Sequence, residues 1–259
     1  MFTEQFLRKG LKTRAFGSKI YAFDSVDSTN NCAKAVAGCG APEGTVVITE
    51  HQTAGRGRFG RQWEAEANQN LMFSLVLRPK AAPESFNLLP LYVAVAVSEA
   101  IERATGLKVE CKWPNDILYR GKKLAGILIE GSVKHNTVEH VVIGIGINVN
   151  QMKFEGDLLA KASSLRIECQ KEIDRAMLFR EVLDSLEREY AAISRAGFQS
   201  IVPQWLSRST MINRTISVSQ QGNVISGVVK GLSLEGGLIL QTNGSEQTLI
   251  AGDVTVLQG

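Results

Sequence analysis

The segment Gly55–Trp63 alternates glycine with arginine, and its residue types point to anion binding. Arg56, Arg58 and Arg61 carry forked guanidinium donors that match the oxygens of a phosphate or a carboxylate. The glycines between them let the backbone approach a ligand closely. Because the three like charges repel one another, we expect the segment from about Gly55 to Arg61 to be mobile when empty and to close over an anionic ligand.

This arginine-rich segment is set in folded sequence. The flanking apolar runs Thr45–Thr49 and Leu71–Leu77 are short and rich in β-branched or aromatic residues, which predicts strands. No Gly-Lys-Ser/Thr follows the glycines, so the segment does not match a Walker A phosphate loop. Gly-Arg repeats are also typical of RNA-binding tails, but such tails are low-complexity sequence and here the pattern occurs once. The arginines therefore belong to a loop of a folded domain.

A second group of unlike functional side chains lies in Lys112–Asp116, which reads Lys-Trp-Pro-Asn-Asp. The proline removes a ladder donor, so it interrupts a strand or lies at a sheet edge. Asn115 can contact a phosphate or a base edge, and Asp116 can hold a hydrated Mg²⁺. The plain alternative is a turn between two strands with Trp113 in the core. That alternative explains the tryptophan but not the three polar residues.

The lysine pair Lys122–Lys123 gains its interest from the turn before it. A turn at Arg120–Lys122 predicts a hairpin that brings Lys123 beside Tyr119 and Gly126 opposite Asp116–Ile117. A lysine pair in a turn is usually solvated. The hairpin geometry alone makes Lys123 a candidate site residue.

Glycines and amides mark a third part of the candidate site. Gly144 and Gly146 share one face of a predicted strand with Asn148, because side chains alternate with a period of two. Two missing side chains on one face leave a trough for a flat ligand, with an amide at its end. Gln52 lies three residues before the arginine-rich segment, at a strand end, where it can hydrogen-bond a neutral polar group.

Periodicity and turn residues predict helices and strands in two groups. A helix is expected after Asp24–Asn30, a cluster of capping residues, and others over residues 86–104 and 198–206. Strands are expected between residues 107 and 150, and about five short ones after Thr215, which suggest a small closed barrel. The predicted domains are 1–209 and 210–259. A helix over 174–193 is expected to bury a stripe of Met177, Leu178, Val182, Leu186 and Tyr190.

Composition narrows the functional class. The net charge is only +3, from 29 basic and 26 acidic side chains, which disfavours a protein that coats polyanions. No apolar run reaches the roughly 18–20 residues of a membrane span, and the first 17 residues lack a signal-peptide core. The four cysteines have no Cys-x-x-Cys spacing, which predicts free thiols in a reducing cytoplasm rather than a zinc site.

Taken together, five motifs resemble the biotin protein ligase family and appear in the family's order. The resemblance implies an α+β fold, with a mixed β-sheet flanked by helices as in class II aminoacyl-tRNA synthetases, and an SH3-like C-terminal β-barrel. With that barrel, the motifs cover nearly the whole chain. The motifs are Ser28–Asn30, Gln52 with Gly55–Trp63, Lys112–Asp116, Lys123–Leu128 and Gly144–Asn148.

The resemblance also implies an activity and the residues that serve it. The family joins ATP and biotin to give biotinyl-5′-AMP and pyrophosphate, then transfers biotin to a lysine of a biotin carboxyl carrier protein. Arg58, Lys112 and Lys123 are expected to be catalytic, and Asp116 to contact Mg²⁺. Biotin is expected to contact Ser28, Thr29, Asn30, Gln52, Arg56, Gly57, Arg58, Lys123 and Gly126. ATP is expected to contact Arg58, Arg61, Trp63, Lys112, Asn115 and Asn148.

Several alternatives stay open. Fewer than 30 residues precede Ser28, so we expect a short form without the family's DNA-binding domain, and neither DNA nor a membrane as partner. A homodimer through the sheet edge is left open. Two other functions remain: a lipoate or other acyl-acid ligase on the same scaffold, and a nucleic-acid-binding module that uses the arginines and the barrel.

Overall fold

A seven-stranded sheet forms the centre of the larger unit in this computed structural model, which describes residues 2–79, 83–134, 137–220 and 222–256. Its first two strands in the order β1-β2-β3-β7-β6-β5-β4 pair in parallel and the others pair antiparallel, so the sheet is mixed. The strands are β1 (Ile20–Val26), β2 (Val46–Gln52), β3 (Leu71–Leu77), β4 (Glu110–Lys112), β5 (Asp116–Tyr119), β6 (Lys122–Lys134) and β7 (Thr137–Ile147).

The main core lies on one face of this sheet, under two long helices, Leu89–Thr105 and Arg175–Ala196. Leu91 to Val97 are buried, as the apolar run predicts, and the Tyr92 hydroxyl donates to the Leu186 carbonyl at 2.7 Å. Leu178, Val182 and Leu186 of the predicted stripe are buried, whereas Met177 is 37% exposed, so its inclusion in the stripe was wrong. The helices are α1 (Glu4–Arg8), α2 (Thr29–Gly38), α3 (Leu89–Thr105), α4 (Leu158–Lys161), α5 (Leu165–Cys169), α6 (Arg175–Ala196) and α7 (Ile201–Ser207).

The opposite face of the sheet carries helix α2. Ala33 and Ala37 pack against Val47, Val76 and Val142 on the side-chain face that the main core does not use. Small alanines let the helix approach the strands closely. The first turn of α2 therefore lies directly over the middle of the sheet, which puts the candidate residues of Ser28–Asn30 on a buried surface.

The C-terminal unit is a five-stranded antiparallel sheet in the order β11-β10-β9-β8-β12. The predicted number of strands is confirmed. The indole nitrogen of Trp113 donates to the Gly236 carbonyl at 3.0 Å and so joins this unit to the larger one. The strands are β8 (Thr215–Gln220), β9 (Asn223–Leu232), β10 (Leu238–Gln241), β11 (Glu246–Leu249) and β12 (Asp253–Val256).

Two predictions from the sequence concern membrane spans and the boundary between the domains. None of the helices in the described ranges is long and apolar enough to cross a membrane. The domain boundary between residues 209 and 210 stays a prediction, although the strands of the C-terminal sheet begin only at Thr215.

Candidate active site

A chain of neutral polar side chains forms the buried base of the candidate site; we call Thr29, Asn30, Gln52 and Ser74 the polar floor. The Thr29 backbone N–H donates to Gln52 Oε1 at 2.8 Å. Ser74 Oγ lies 2.8 Å from Thr29 Oγ1 and 2.6 Å from Asn30 Oδ1. Ser74 is fully buried in the middle of β3, and sequence reasoning missed it. The clue was a lone hydroxyl within the otherwise apolar Leu71–Leu77.

Glu130 of β6 closes one end of the polar floor. Asn30 Nδ2 donates to Glu130 Oε2 at 2.8 Å, Lys34 Nζ donates to Oε1 at 2.7 Å, and Arg56 pairs with the same carboxylate. Burial raises the pKa of Glu130, but the hydrogen bonds from Lys34 and Asn30 and the charge of Arg56 outweigh it and bring the pKa below its ordinary value. Glu130 is therefore a carboxylate that only accepts hydrogen bonds.

The predicted glycine trough exists, but the protein's own side chains fill it. A methyl group on Gly144 would overlap Asn30 Oδ1, and one on Gly146 would lie 2.5 Å from the Trp63 ring. Gly126 pairs with Gly146 across β6 and β7, and a methyl group on Gly126 would lie 2.9 Å from the same indole. The expectation of a trough open to a flat ligand was wrong in this respect. The glycines make room for an amide and an indole.

The hairpin lysine lies over this indole. Lys123 Nζ is 5.5 Å from the centre of the Trp63 ring, and 2.6 Å from Asp116 Oδ1. Strand β5 pairs with β6 so that Asp116 is opposite Gly126, as predicted. The prediction that Lys123 lies beside Tyr119 was wrong, because Lys123 pairs with Leu118 and Tyr119 with Lys122, next to a register shift. The ammonium group thus bridges an aromatic face and a carboxylate, at the same edge of the trough.

The arginine-rich segment lies over the site in a compact conformation. The Gly57 N–H donates to the Arg61 carbonyl at 2.7 Å, and the Trp63 N–H to the Gly55 carbonyl at 3.0 Å. A side chain on Gly55 would overlap the Trp63 carbonyl, so glycine is required by close backbone approach. Phe59, at the tip, has φ 55°.

Carboxylates of the protein neutralise two of the three arginines. Arg56 pairs with Glu130, and Arg61 pairs with Asp253 of the C-terminal sheet. These two ion pairs reduce the repulsion among the arginines that the sequence analysis expects, and no sequence pattern places Asp253 near Arg61. Whether the segment is mobile without ligand stays a prediction.

Arg58 is the half-buried member of the group. Its Nη1 lies 3.3 Å from both Asn115 Oδ1 and the Gly252 carbonyl. Burial lowers the pKa of Arg58, against the opposing charges of Asp253 and Asp116. The guanidinium connects the arginine-rich segment, the Lys112–Asp116 motif and the C-terminal unit.

Lys112 adds a further cation beside Asp116. The two residues pair across β4 and β5, which the proline-containing turn separates as predicted. Burial lowers the pKa of Lys112, while Asp116 acts to raise it and Lys123 to lower it. Trp113 is buried, so the alternative interpretation of Lys112–Asp116, a turn with Trp113 in the core, is correct for Trp113. It does not explain the polar residues of the motif.

The remaining predicted residues brace the backbone around the site. Asn115 Nδ2 donates to the Ile127 carbonyl at 2.7 Å, and Asn148 Nδ2 to the Ser163 carbonyl at 3.0 Å. Ser28 is buried at the N-cap of α2, but its side chain makes no capping hydrogen bond. Its hydroxyl therefore remains able to serve a ligand.

Asp116 is the only residue for which the sequence predicts a metal contact. Within the described ranges no group of three or more His, Cys, Asp or Glu side chains could hold a metal ion. A single carboxylate beside phosphate-binding cations fits Mg²⁺, which keeps several waters and takes its other ligands from substrate phosphates.

Family models match both units of the chain. The model described as "Biotin/lipoate A/B protein ligase family" matches residues 22–148, and that described as "Biotin protein ligase C terminal domain" matches residues 211–257.

Curated relatives and solved structures are similar over nearly the full length. The bifunctional ligase/repressor BirA of Bacillus subtilis is 37% identical over 254 residues, 97% of this chain and 78% of that protein. The biotin–[acetyl-CoA-carboxylase] ligase of Paracoccus denitrificans is 34% identical, over 88% of this chain and 96% of its own. A biotin protein ligase from Aquifex aeolicus, solved with biotin and ATP, is 28% identical with a TM-score of 0.81, over 93% of this chain and 100% of that one. These matches show that the chain belongs to the biotin protein ligase family.

Proposed function

We propose that the chain activates biotin with ATP to biotinyl-5′-AMP and then transfers biotin to a lysine of a biotin carboxyl carrier protein. The observation that carries this proposal is the juxtaposition of two unlike regions. A buried, neutral polar floor adjoins five cations, Arg56, Arg58, Arg61, Lys112 and Lys123. Biotin has the matching halves: a neutral polar ring system and a carboxylate.

The polar floor is suited to the ring system. Thr29 and Gln52 present a hydroxyl and an amide on a surface that the protein already holds in place by hydrogen bonds. Ser28 adds a second hydroxyl with no capping partner. Neutral groups of this kind bind a urea without the desolvation penalty that a buried charge would carry.

The cations are suited to the first chemical step. A biotin carboxylate oxygen attacks the α-phosphorus of ATP, the new oxygen–phosphorus bond forms, and the bond to pyrophosphate breaks. Two anions must approach each other, so fixed positive charge lowers the barrier. Lys123 would orient the carboxylate, while Arg58, Arg61 and Lys112 would face the phosphates. Mg²⁺, held by the phosphates and Asp116, would shield the charge on the leaving pyrophosphate.

Adenine would bind on the Trp63 side of this cluster. Trp63 packs its flat indole against Gly146. Asn115 and Asn148, whose amide nitrogens donate to backbone carbonyls, would offer their amide oxygens to the nucleotide. In the second step, the amine of the carrier lysine attacks the biotinyl carbonyl carbon, an amide forms and AMP leaves. Arg56 and Gly57, as part of the covering segment, would keep water from the mixed anhydride between the two steps.

The protein partner follows from the names of the relatives. Two curated relatives, from Paracoccus denitrificans and Mycobacterium tuberculosis, are named as biotin–[acetyl-CoA-carboxylase] ligases. We therefore propose the biotin-accepting domain of a carboxylase as the second substrate, and the cytoplasm as the compartment where they meet.

Pyrophosphate–ATP exchange tests the proposal directly. Purified protein should exchange labelled pyrophosphate into ATP with biotin and not without it. Lys112→Met should abolish most of the exchange, whereas Lys161→Met, at a lysine that is 70% exposed, should leave it unchanged. Exchange that is independent of biotin would contradict the proposal. A preference for lipoate or octanoate would favour the second candidate, an acyl-acid ligase. The matching family model supports this candidate because it includes both biotin and lipoate ligases.

A further inference from the structure

Lys123 shares a face of the sheet with Gly126 because β6 carries an extra residue between them. Two consecutive residues of β5 pair with Lys123 and Ala125, so Leu124 is inserted in β6 as a bulge. Side chains alternate along a regular strand, so two positions three residues apart would otherwise face opposite sides of the sheet. A bulge re-aims a side chain. Lys123 therefore lies over Gly126, where a methyl group would be 2.9 Å from its Nζ.

Gly126 and Gly146 form a slot for the Trp63 indole on the same face. The two glycines pair across β6 and β7, and a methyl group on Gly146 would lie 2.5 Å from the ring. Trp63 Nε1 is buried and has no hydrogen-bond partner among the described residues, so packing rather than a hydrogen bond sets the position of the ring. The Lys123 ammonium is 5.5 Å from the ring centre, within the range of a cation–π contact.

Lys123 needs this contact because its other partner has a competing role. Its Nζ is 2.6 Å from Asp116 Oδ1, and the lysine side chain is 33% exposed. A lysine is a point charge on a flexible stem, so a single ion pair fixes its position loosely. Under the proposed function, Mg²⁺ would also bind Asp116 and would compete with Lys123 for that carboxylate. The neutral indole has no such competitor, so its contact with the lysine persists.

We propose that Trp63 is a positioning residue that holds the Lys123 ammonium where the biotin carboxylate binds, and that Gly126 and Gly146 provide the space this indole requires. The inference rests on the proposed function, in which Lys123 orients the carboxylate. It gives Trp63 a role in biotin binding, in addition to its predicted contact with the nucleotide.

Biotinol, which has an alcohol in place of the carboxylate of biotin, separates this role from a nucleotide contact. Without ATP, Trp63→Leu should weaken biotin binding about fivefold to tenfold, the scale of one partly desolvated cation–π contact. Biotinol affinity should stay within about twofold of the wild-type value, because an alcohol makes no ion pair with Lys123. A tryptophan that served the nucleotide alone would leave both affinities unchanged when ATP is absent.

A double variant tests whether the effect of Trp63 passes through Lys123. Lys123→Met should lower biotin affinity and leave biotinol affinity unchanged. Adding Trp63→Leu to Lys123→Met should then cost no further biotin affinity, because both changes remove the same interaction. Trp63→Phe keeps an aromatic face and should stay within about threefold of wild type for biotin. Fully additive losses from Trp63→Leu and Lys123→Met would overturn the inference.

Gly126→Ala and Gly131→Ala form a matched pair in strand β6. A methyl group on Gly126 would lie 2.9 Å from both Lys123 Nζ and the Trp63 ring, whereas one on Gly131 meets only the His140 carbonyl at 4.0 Å. Gly126→Ala should therefore weaken the binding of biotin more than that of biotinol. Gly131→Ala should match the wild type for both ligands.

The experiment is calorimetric titration of biotin and biotinol into the full chain, with thermal melts to monitor folding. Equal biotin affinity in Trp63→Leu and wild type, or an equal loss for biotin and biotinol, would overturn this inference and leave the proposed function intact. Wild-type protein that binds no biotin and shows no biotin-dependent pyrophosphate exchange would overturn both. If Trp63→Leu fails to fold, the contrast between Gly126→Ala and Gly131→Ala decides: equal biotin affinity in that pair also overturns the inference.

Discussion

Under the proposed function, the polar floor and the arginine-rich segment would recognise the two halves of one ligand by opposite physical means. Ser74 and Thr29 are almost fully buried, uncharged and joined by hydrogen bonds. Arg56 and Arg61 have side chains that are 38% and 68% exposed, and each pairs with a carboxylate of the protein. One region is fixed before any ligand arrives. The other is held by contacts that a ligand anion can replace.

The difference follows from the cost of leaving each group without a partner. A buried polar group that loses its hydrogen bond costs about 1–3 kcal/mol, so the floor cannot rearrange cheaply. An exposed ion pair contributes only about 0–1 kcal/mol, so Glu130 and Asp253 can exchange with phosphate or carboxylate oxygens at little cost. Under the proposed function, selectivity for a neutral ring would therefore belong to the floor, and capture of anions to the segment.

The largest effect on biotin affinity is expected at Gly144, whose missing side chain leaves room for Asn30 of the polar floor. Gly144→Ala would place a methyl group against Asn30 Oδ1, on the face of the sheet that helix α2 covers. We expect biotin affinity to fall about a hundredfold, since the displaced amide breaks the chain at its centre. Calorimetric titration measures this change.

Gly131→Ala in the neighbouring strand β6 is the matched control. A methyl group there meets only the His140 carbonyl, at an ordinary contact distance of 4.0 Å. Its biotin affinity should equal that of the wild type. If Gly144→Ala binds biotin as well as Gly131→Ala, the floor is adaptable and the contrast with the arginine-rich segment fails.

An intermediate effect is expected in the pH dependence of the cationic region. Burial lowers the pKa of Lys112 below that of an ordinary lysine, and its charge is lost as the pH rises through that lowered value. The alkaline limb of kcat/KM for ATP should therefore begin below the range of an exposed lysine. Asp116 acts to raise this pKa, so Asp116→Asn should move the limb to still lower pH.

Asp157→Asn provides the control for the pH profile. Asp157 is 93% exposed and pairs only with Lys161 in the described structure, so its removal should leave the limb in place. A limb that does not move in Asp116→Asn would show that a group other than Lys112 sets it. Biotin affinity should stay constant over the pH range in which kcat/KM for ATP falls, because no residue of the polar floor carries a charge.

The sequence predicted more of the segment than of the floor. The arginines, the Lys112–Asp116 motif and the hairpin around Lys123 are contiguous, and their residue types are unusual enough to notice without a structure. Ser74 was missed because its lone hydroxyl in an apolar strand shows its role only once α2 places Thr29 and Asn30 against it. A sequence pattern therefore predicts the chemistry of contiguous residues but not that of residues which only the fold brings together.

Long-range partners were out of reach for a similar reason. Arg61 and Asp253 are separated by 192 residues, and no periodicity or turn signal relates them. Most of the strands, the long helices and the pairing of Asp116 with Gly126 could be predicted because they depend on neighbours within a few residues, whereas no strand was predicted for Ile20–Val26. The pairing between units depends on how two finished sheets meet, which spacing along the chain does not encode.

The smallest effect is expected at the contact between the arginine-rich segment and the C-terminal sheet. Asp253→Asn should change the free energy of unfolding by less than about 1 kcal/mol, because the Arg61 side chain is largely exposed. It should lower the KM for ATP about twofold to threefold, since the phosphates no longer have to displace a carboxylate from Arg61. This gain should shrink as ionic strength rises from about 0.05 to 0.5 M, where exposed charges are screened. Pyrophosphate exchange at several salt concentrations gives these values, with Asp157→Asn as a charge-matched control and biotin affinity expected to stay constant. A raised KM for ATP would mean instead that Asp253 holds Arg61 in its working position, and the segment would then be as preformed as the floor.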